Sequence, residues 1–216
     1  MHTLDPALEN RPAHPLLRAA ILLGVLVPVL YFGVQIAVAP WYPGHSYVHN
    51  VASHLGSDLS PKADVFNRTV QALGVVIAAT ALAFGAGLRS AGSPWWRIVP
   101  LCIAMLTIAV QTFWAAYYPM PDPRHGGHPA FIAGMLLFPP AMFAAMWPYA
   151  GRLGRAYFIF TLIHLAVMVP IMSGIVLRET LADAQGVKQR LFTVALFMPF
   201  AVGAVILSRR LKRAGA

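Results

Sequence analysis

The sequence predicts an all-α integral membrane protein of six transmembrane helices with both termini cytoplasmic. Three observations carry this expectation. Hydrophobic residues fill 58% of the 216 positions and charged residues only 11%, where soluble domains carry about 25% charged residues. A charge at the bilayer centre costs at least ~2.5 kcal/mol, so such depletion is what lipid demands. The apolar residues fall into six runs, each long enough as a helix to cross roughly 30 Å of hydrocarbon. The basic residues sit in short gaps between those runs, so the formal net charge of +9 reads as a set of topology signals and not as a nucleic-acid-binding face.

Residues 1–16 are a polar N-terminal tail. The first run, 17–39, is too long for a signal-peptide core of ~7–15 residues and reads as an anchor. The second, 63–88, has a marked start, with Ser60 as N-cap, Pro61 at the first helical position and Asp64 in the first turn. A tight turn at 89–97, with Trp95 and Trp96 at the interface, leads to the third run at 98–118. The fourth, 129–147, contains Pro139 and Pro140, which should kink it. A basic turn at 151–155 precedes the fifth run, 156–177, which carries Pro170. A mixed-charge loop at 178–190 leads to the sixth run, 191–207. The transmembrane domain thus spans 17–208, and 209–216 form a basic cytoplasmic tail.

Of the 16 basic residues, Arg11, Arg18, Arg89, Arg97, Arg152, Arg155, Arg209, Arg210, Lys212 and Arg213 fall at one end. The other end has Lys62, Arg68, Arg124, Arg178, Lys188 and Arg190. The richer end should be cytoplasmic. The single cysteine, Cys102, lies inside an apolar run, so neither an intrachain disulfide nor a Cys-based metal site is available.

Two polar spans then face outward, 41–64 and 118–129, and five of the eight histidines lie in them. In the first, His45 and His49 are four residues apart, which on a helix would place them on one face, and His54 follows. In the second, Asp122, His125 and His128 lie close in sequence. Imidazoles with a carboxylate form a common first shell for a divalent metal such as zinc, and a metal-bound water with Asp or His as proton carrier would be hydrolytic chemistry. Histidines in a headgroup-level loop are also cheap, and no HExxH is present. Ser46, Ser53, Ser57 and Ser60 lie near histidines without the strand–elbow–helix context of a hydrolase.

Amides inside the runs are skewed to the same end: Gln35, Asn67, Gln71 and Gln111. In hydrocarbon they need partners and should point into the bundle, to glue helices or to line a pocket. The second, fourth and sixth helices would start at this end, where their N-termini with Lys62, Arg68 and Arg124 would favour an anion. His164 is the one histidine inside a run. With no second imidazole at its depth it suits a bond to a neighbouring helix better than haem.

The block Ser53, Leu55, Gly56, Pro61, Ala63, Phe66, Asn67 and Gly74 resembles the S-x-L-G…P-x-A-x-x-F-N…G pattern of the bacterial membrane family called domain of unknown function 998. Tyr118, Pro119, Asp122, Pro123, His128 and Ala133 are similar to that family's F-P-x-D-P…H…A block, with Met120-Pro121 adding a residue and His125 additional. The resemblance implies six helices and a bacterial cytoplasmic (inner) membrane. It singles out Ser53, Asn67, Asp122 and His128, and implies no activity.

The functional expectation is an outward-facing pocket centred on Asn67, Asp122 and His128, with His45, His49 and His54 as ligands or lid. It would bind, and hydrolyse or modify, an amphipathic lipid-like substrate, with a divalent metal as candidate cofactor and membrane lipids as partners. The alternative is a non-enzymatic accessory subunit bound to a membrane complex or to a second copy. Haem binding and transport stand behind these.

Overall fold

The computed structural model describes residues 15–214; the expected N-terminal tail, but for Pro15 and Leu16, lies outside the described residues. Six α-helices follow one another: α1 Pro15–Val38, α2 Ala63–Ser90, α3 Trp95–Tyr117, α4 Pro129–Met146, α5 Arg152–Met172 and α6 Gln185–Ala214. All six are long and apolar enough to span a membrane, and no strand occurs among the described residues. The protein is a multi-pass membrane protein. Two short 3₁₀ helices, Ala39–Trp41 and Ala52–Gly56, lie in the connection between α1 and α2.

Lipid is as apolar as leucine, so the helices associate through close packing and not through escape from water. Successive helices pack together, and α6 returns to lie against α1, α2, α4 and α5. Phe138 of α4 and Phe200 of α6 stack at the centre with ring centroids 4.5 Å apart. Around them Leu73, Ile77, Phe84, Leu101 and Met105 are fully buried. At Gly24 α1 packs closely against α2 and α6: a Cβ there would lie 2.8 Å from the Phe200 carbonyl oxygen and 3.3 Å from Thr80 Cγ2.

Several helix ends differ from the expectation: α3 starts at Trp95 and α5 at Arg152, inside the expected turns at 89–97 and 151–155. Ser60 does not cap α2. Pro61 and Lys62 form a turn in which the Ala63 N–H donates to the Ser60 carbonyl (3.1 Å), so the helix starts at Ala63 and the buried Ser60 hydroxyl is left without a partner. α5 stops at Met172, short of 177, in a Schellman ending. Gly174, at φ +72°, supplies the left-handed residue, its N–H reaching Ile171 (3.2 Å) and that of Ile175 reaching Pro170 (3.0 Å). α6 starts six residues before the expected 191 and continues through the expected tail at 209–214. Gln, Lys, Arg and Leu are good helix formers, and the polar residues of both added segments can leave the hydrocarbon along their own stems. Pro139 and Pro140 lie inside α4 without ending it.

Tryptophans lie at both ends of the bundle, where they suit the membrane interface, and Trp41, Trp95, Trp96 and Trp147 each have a cation over the ring. Lys62 lies 5.0 Å from Trp41 at the loop end; Arg89, Arg97 and Arg155 lie 5.4, 4.6 and 4.9 Å from Trp95, Trp96 and Trp147 at the other.

Gly24→Val should destabilise the bundle by about 1–3 kcal/mol, because a backbone carbonyl cannot yield to the added methyls as a side chain could. Thermal unfolding in detergent measures this, and an unchanged melting temperature would show that α1 and α6 are not held at this distance.

Candidate functional site

A cavity of about 300 Å³ opens at the loop end of the bundle, and all six helices contribute to its wall. Most of that wall is apolar, from Phe66, Val70, Ile108, Met135, Leu196 and Phe197. The polar positions are Ser53 from the 3₁₀ helix, Asn67, Gln111, Thr112, Gln189 and Thr193, with His125 and Gly126 from the loop before α4.

Side chains from two long helices pin the short helix that carries Ser53. Gln189 of α6 accepts from the Ala52 N–H at 2.6 Å, and Asn67 of α2 donates to the Gly56 carbonyl at 2.8 Å. These bonds satisfy one backbone group at each end of Ala52–Gly56, which no membrane-embedded water could do. A Cβ at Gly56 would collide with Asn67 Oδ1, so the contact needs glycine there. Asn67 is thus a support for the cavity rim as well as part of its wall.

Gln111 differs from the other amides. It is 9% exposed, it lines the cavity, its Oε1 is buried without a partner, and neither end of its amide is bonded among the described residues. Gln35 and Gln71 are satisfied: Gln35 donates to Tyr31 O (3.0 Å) and accepts from Arg190 Nε (3.0 Å), and Gln71 donates to Ala116 O (3.3 Å).

The loop histidines go separate ways. His49 donates from Nδ1 to the Asp183 carbonyl at 2.6 Å, and His54 accepts at Nδ1 from Asn50 at 3.1 Å. His125 donates from Nδ1 to the Tyr118 carbonyl at 2.9 Å. Exposed His128 accepts from the Ala130 N–H at 3.2 Å and so caps α4. The segment around His45 and His49 is turn, not α-helix, so they do not share a helical face. Among the described residues no three His, Cys, Asp or Glu side chains come together to hold a metal ion.

Asp122 and His128 are not on the cavity wall, whereas Ser53, Asn67 and His125 are. Asp122 instead clamps its neighbour. Its carboxylate accepts from Arg124 N (2.8 Å), Nε (2.9 Å) and Nη2 (2.7 Å). The side-chain bond from Arg124 is the main cause that holds the Asp122 pKa down to about 2, far below what a proton carrier near neutrality requires. His164, in α5, donates from Nε2 to the Leu191 carbonyl of α6 at 2.8 Å, the inter-helix bond that suits a histidine at that depth.

The groups expected to draw an anion to this end are already engaged. Val48 O accepts from the first N–H groups of α6, Gly186 (2.9 Å) and Val187 (3.2 Å). Arg124 is bound to Asp122, Arg68 lies 3.9 Å from Asp64, and Lys62 covers Trp41.

Arg190 was assigned to a loop from sequence; on α6 it becomes the anchor of this end. Its Nη1 donates to Tyr47 O (2.9 Å) and Asn50 O (2.8 Å), its Nε to Gln35, and its plane lies 4.8 Å from the Tyr47 ring. His45 packs edge-on to Tyr42 and Tyr47 at 5.6 and 5.2 Å, with both ring nitrogens shielded and, among the described residues, unbonded. Burial, then the charges of Arg190 and His54, push the His45 pKa down. The signal that could have found Arg190 is the helical continuity of 185–190 with the apolar run behind it.

The model of the family described as Protein of unknown function (DUF998) matches residues 25–213. The chain belongs to that family. No curated protein and no solved structure matches it. The DUF998 match takes in both polar spans and every residue of the cavity wall.

Two outcomes are expected at this end of the DUF998 chain. Arg190→Ala should cost about 3 kcal/mol, since it strips three acceptors of a charged donor, and should increase proteolysis within 42–51. Melting and cleavage like those of the unmodified chain would contradict this. His45 contributes stability in its neutral form, which is complete above its ordinary value of 6.5 and lost as pH falls through 6.5 toward the lower folded value. Deuterium uptake in 42–57, corrected for intrinsic rates, should therefore rise from about pH 7.5 to about pH 5.5. His45→Phe should flatten that rise; an unaltered pH dependence in the variant would exclude His45 as its source.

Proposed function

We propose that this protein binds an amphipathic, lipid-like molecule in the cavity at its loop end, with that end facing outward from a bacterial cytoplasmic membrane. The observation that carries the reading is Gln111. An amide nine-tenths buried on a mostly apolar wall, with no bond among the described residues, leaves a desolvation cost of about 1–3 kcal/mol that a ligand hydroxyl or amine would relieve. A volume of about 300 Å³ is at the small end of the range for ligand pockets, about 300–1,000 Å³, and suits a short acyl chain or part of a longer one. The apolar wall takes the chain; Gln111, Thr112, Thr193 and Ser53 meet its polar end.

Binding, not turnover, is the function this arrangement supports. Among the described residues Ser53 has no base bonded to it, Asp122 is held ionised by Arg124, and the loop imidazoles are dispersed. Metal-dependent hydrolysis therefore has no donor set of three His, Cys, Asp or Glu side chains among the described residues.

Glycerol monodecanoate and methyl decanoate share a chain, but only the first has hydroxyl donors. The first should raise the melting temperature of the detergent-purified protein by several degrees more than the second. Gln111→Leu should remove the difference between them, and Ala115→Phe, which fills the cavity, should remove both effects. Equal shifts from the two compounds in the unmodified protein, or shifts that survive Ala115→Phe, would overturn the proposal.

A further inference from the structure

A second cavity, of about 440 Å³, lies at the opposite end of the bundle, between the start of α5 and the end of α6. Arg152 from the first turn of α5 and Arg209, Arg210 and Arg213 from the last turns of α6 line it, with Tyr149 beside them. Among the described residues none of these four guanidinium groups has a hydrogen bond, an ion pair or a ring contact. Arg89, Arg97 and Arg155, at the same end, each lie over a tryptophan; Arg18 and Lys212, also at this end, have no partner among the described residues and lie off the cavity wall.

No described acid is near enough to neutralise them. Asp58, Asp64, Asp122, Glu179 and Asp183 are the acidic residues described, and all five belong to the far end. All four are exposed, so water and salt screen their mutual repulsion; what repulsion is left falls when an anion enters. The start of α5 adds to this: Gly151 makes no side-chain cap, so the first N–H groups of the helix face the same space. Leu153, 86% exposed, lies on the wall as well. Trp147 is one turn away, at the level where tryptophans meet lipid headgroups.

We propose that this cavity binds a phosphate-bearing anion, held by bidentate arginine contacts and by the N-terminus of α5. Guanidinium forks match phosphate oxygens two at a time, and four of them suit the phosphodiester of an anionic lipid headgroup as well as they suit free phosphate. The site is separate from the loop-end cavity and does not depend on what that cavity holds.

The test uses the whole chain purified in detergent, with native mass spectrometry of added phosphatidylglycerol and of phosphatidylcholine. Phosphatidylglycerol adducts should dominate. They should fall at least tenfold in R152Q/R210Q and stay unchanged in R89Q/R97Q, which removes the same charge from the same end. Leu153→Glu keeps every arginine and places a favourable acid in the first turn of α5; it should raise the melting temperature while abolishing the adduct, which covers the case in which the arginine variant fails to fold. If millimolar inorganic phosphate displaces the lipid, the site takes free phosphate too; if it does not, the lipid headgroup is the ligand. Retention of the adduct in both cavity variants, equal loss in R89Q/R97Q, or binding of neither phosphatidylglycerol nor phosphate would overturn the proposal.

Discussion

The guanidinium of Arg190 ties together the end of the bundle where the site lies. It is half-buried and, among the described residues, has no carboxylate beside it. A charge withdrawn from water without a counterion must find dipoles, and here it finds the Tyr47 and Asn50 carbonyls, the Gln35 amide and the face of Tyr47. Those acceptors come from α1 and from the 42–51 segment, while the charge comes from α6. One side chain therefore ties the first and last helices together at this end and holds the connecting loop to them. The packing is tight: a Cβ on Gly186 would strike the Tyr47 and Asn50 carbonyls.

The cavity follows from that tie. With α6 held against α1, Gln189 reaches the Ala52 N–H and Thr193 turns toward the cavity. Asn67 holds the other end of the same 3₁₀ helix from α2. The rim is thus built by side chains that satisfy backbone groups, which lipid cannot do. Of the amides on the cavity wall, Asn67 and Gln189 are bonded to this rim, whereas Gln111 has no partner among the described residues. The loop from 118 to 128 is likewise self-satisfied, with Asp122 and Arg124 locked together and Trp114 donating to the Arg124 carbonyl at 2.9 Å.

Both ends hold cations that face a partner, and among the described residues four without one gather in a cavity at the end away from the loops. At the loop end each of Lys62, Arg68, Arg124 and Arg190 faces a ring, an acid or a set of carbonyls. At the other end four arginines share an open cavity with no acid described near them. A charged side chain near the membrane surface keeps its hydration at little cost, so the second arrangement is physically permitted. It leaves strong donors unspent where anionic headgroups lie.

Hydrophobic run length and charge depletion were enough to determine six spanning helices, because crossing lipid imposes a length and an apolar composition that no tertiary contact needs to supply. The skew of amides to one end was also legible: Asn67 and Gln111 do meet on one cavity wall. Helix ends were less so. Ser60 has the composition of a cap but is diverted by the turn at Pro61, and 185–190 look like loop by polarity although they continue α6. The metal-like spacing of His45, His49 and His54 depended on a helix that the chain does not form there, since the segment is drawn into turns by Arg190 and the tyrosines. Which polar group finds a partner and which is left over depends on contacts between residues 137 to 155 positions apart, such as Gln189 with Ala52 and Arg190 with Gln35. Sequence spacing carries no record of such pairs, so the tie between α1 and α6, the cavity and its unserved amide were decided by tertiary structure alone.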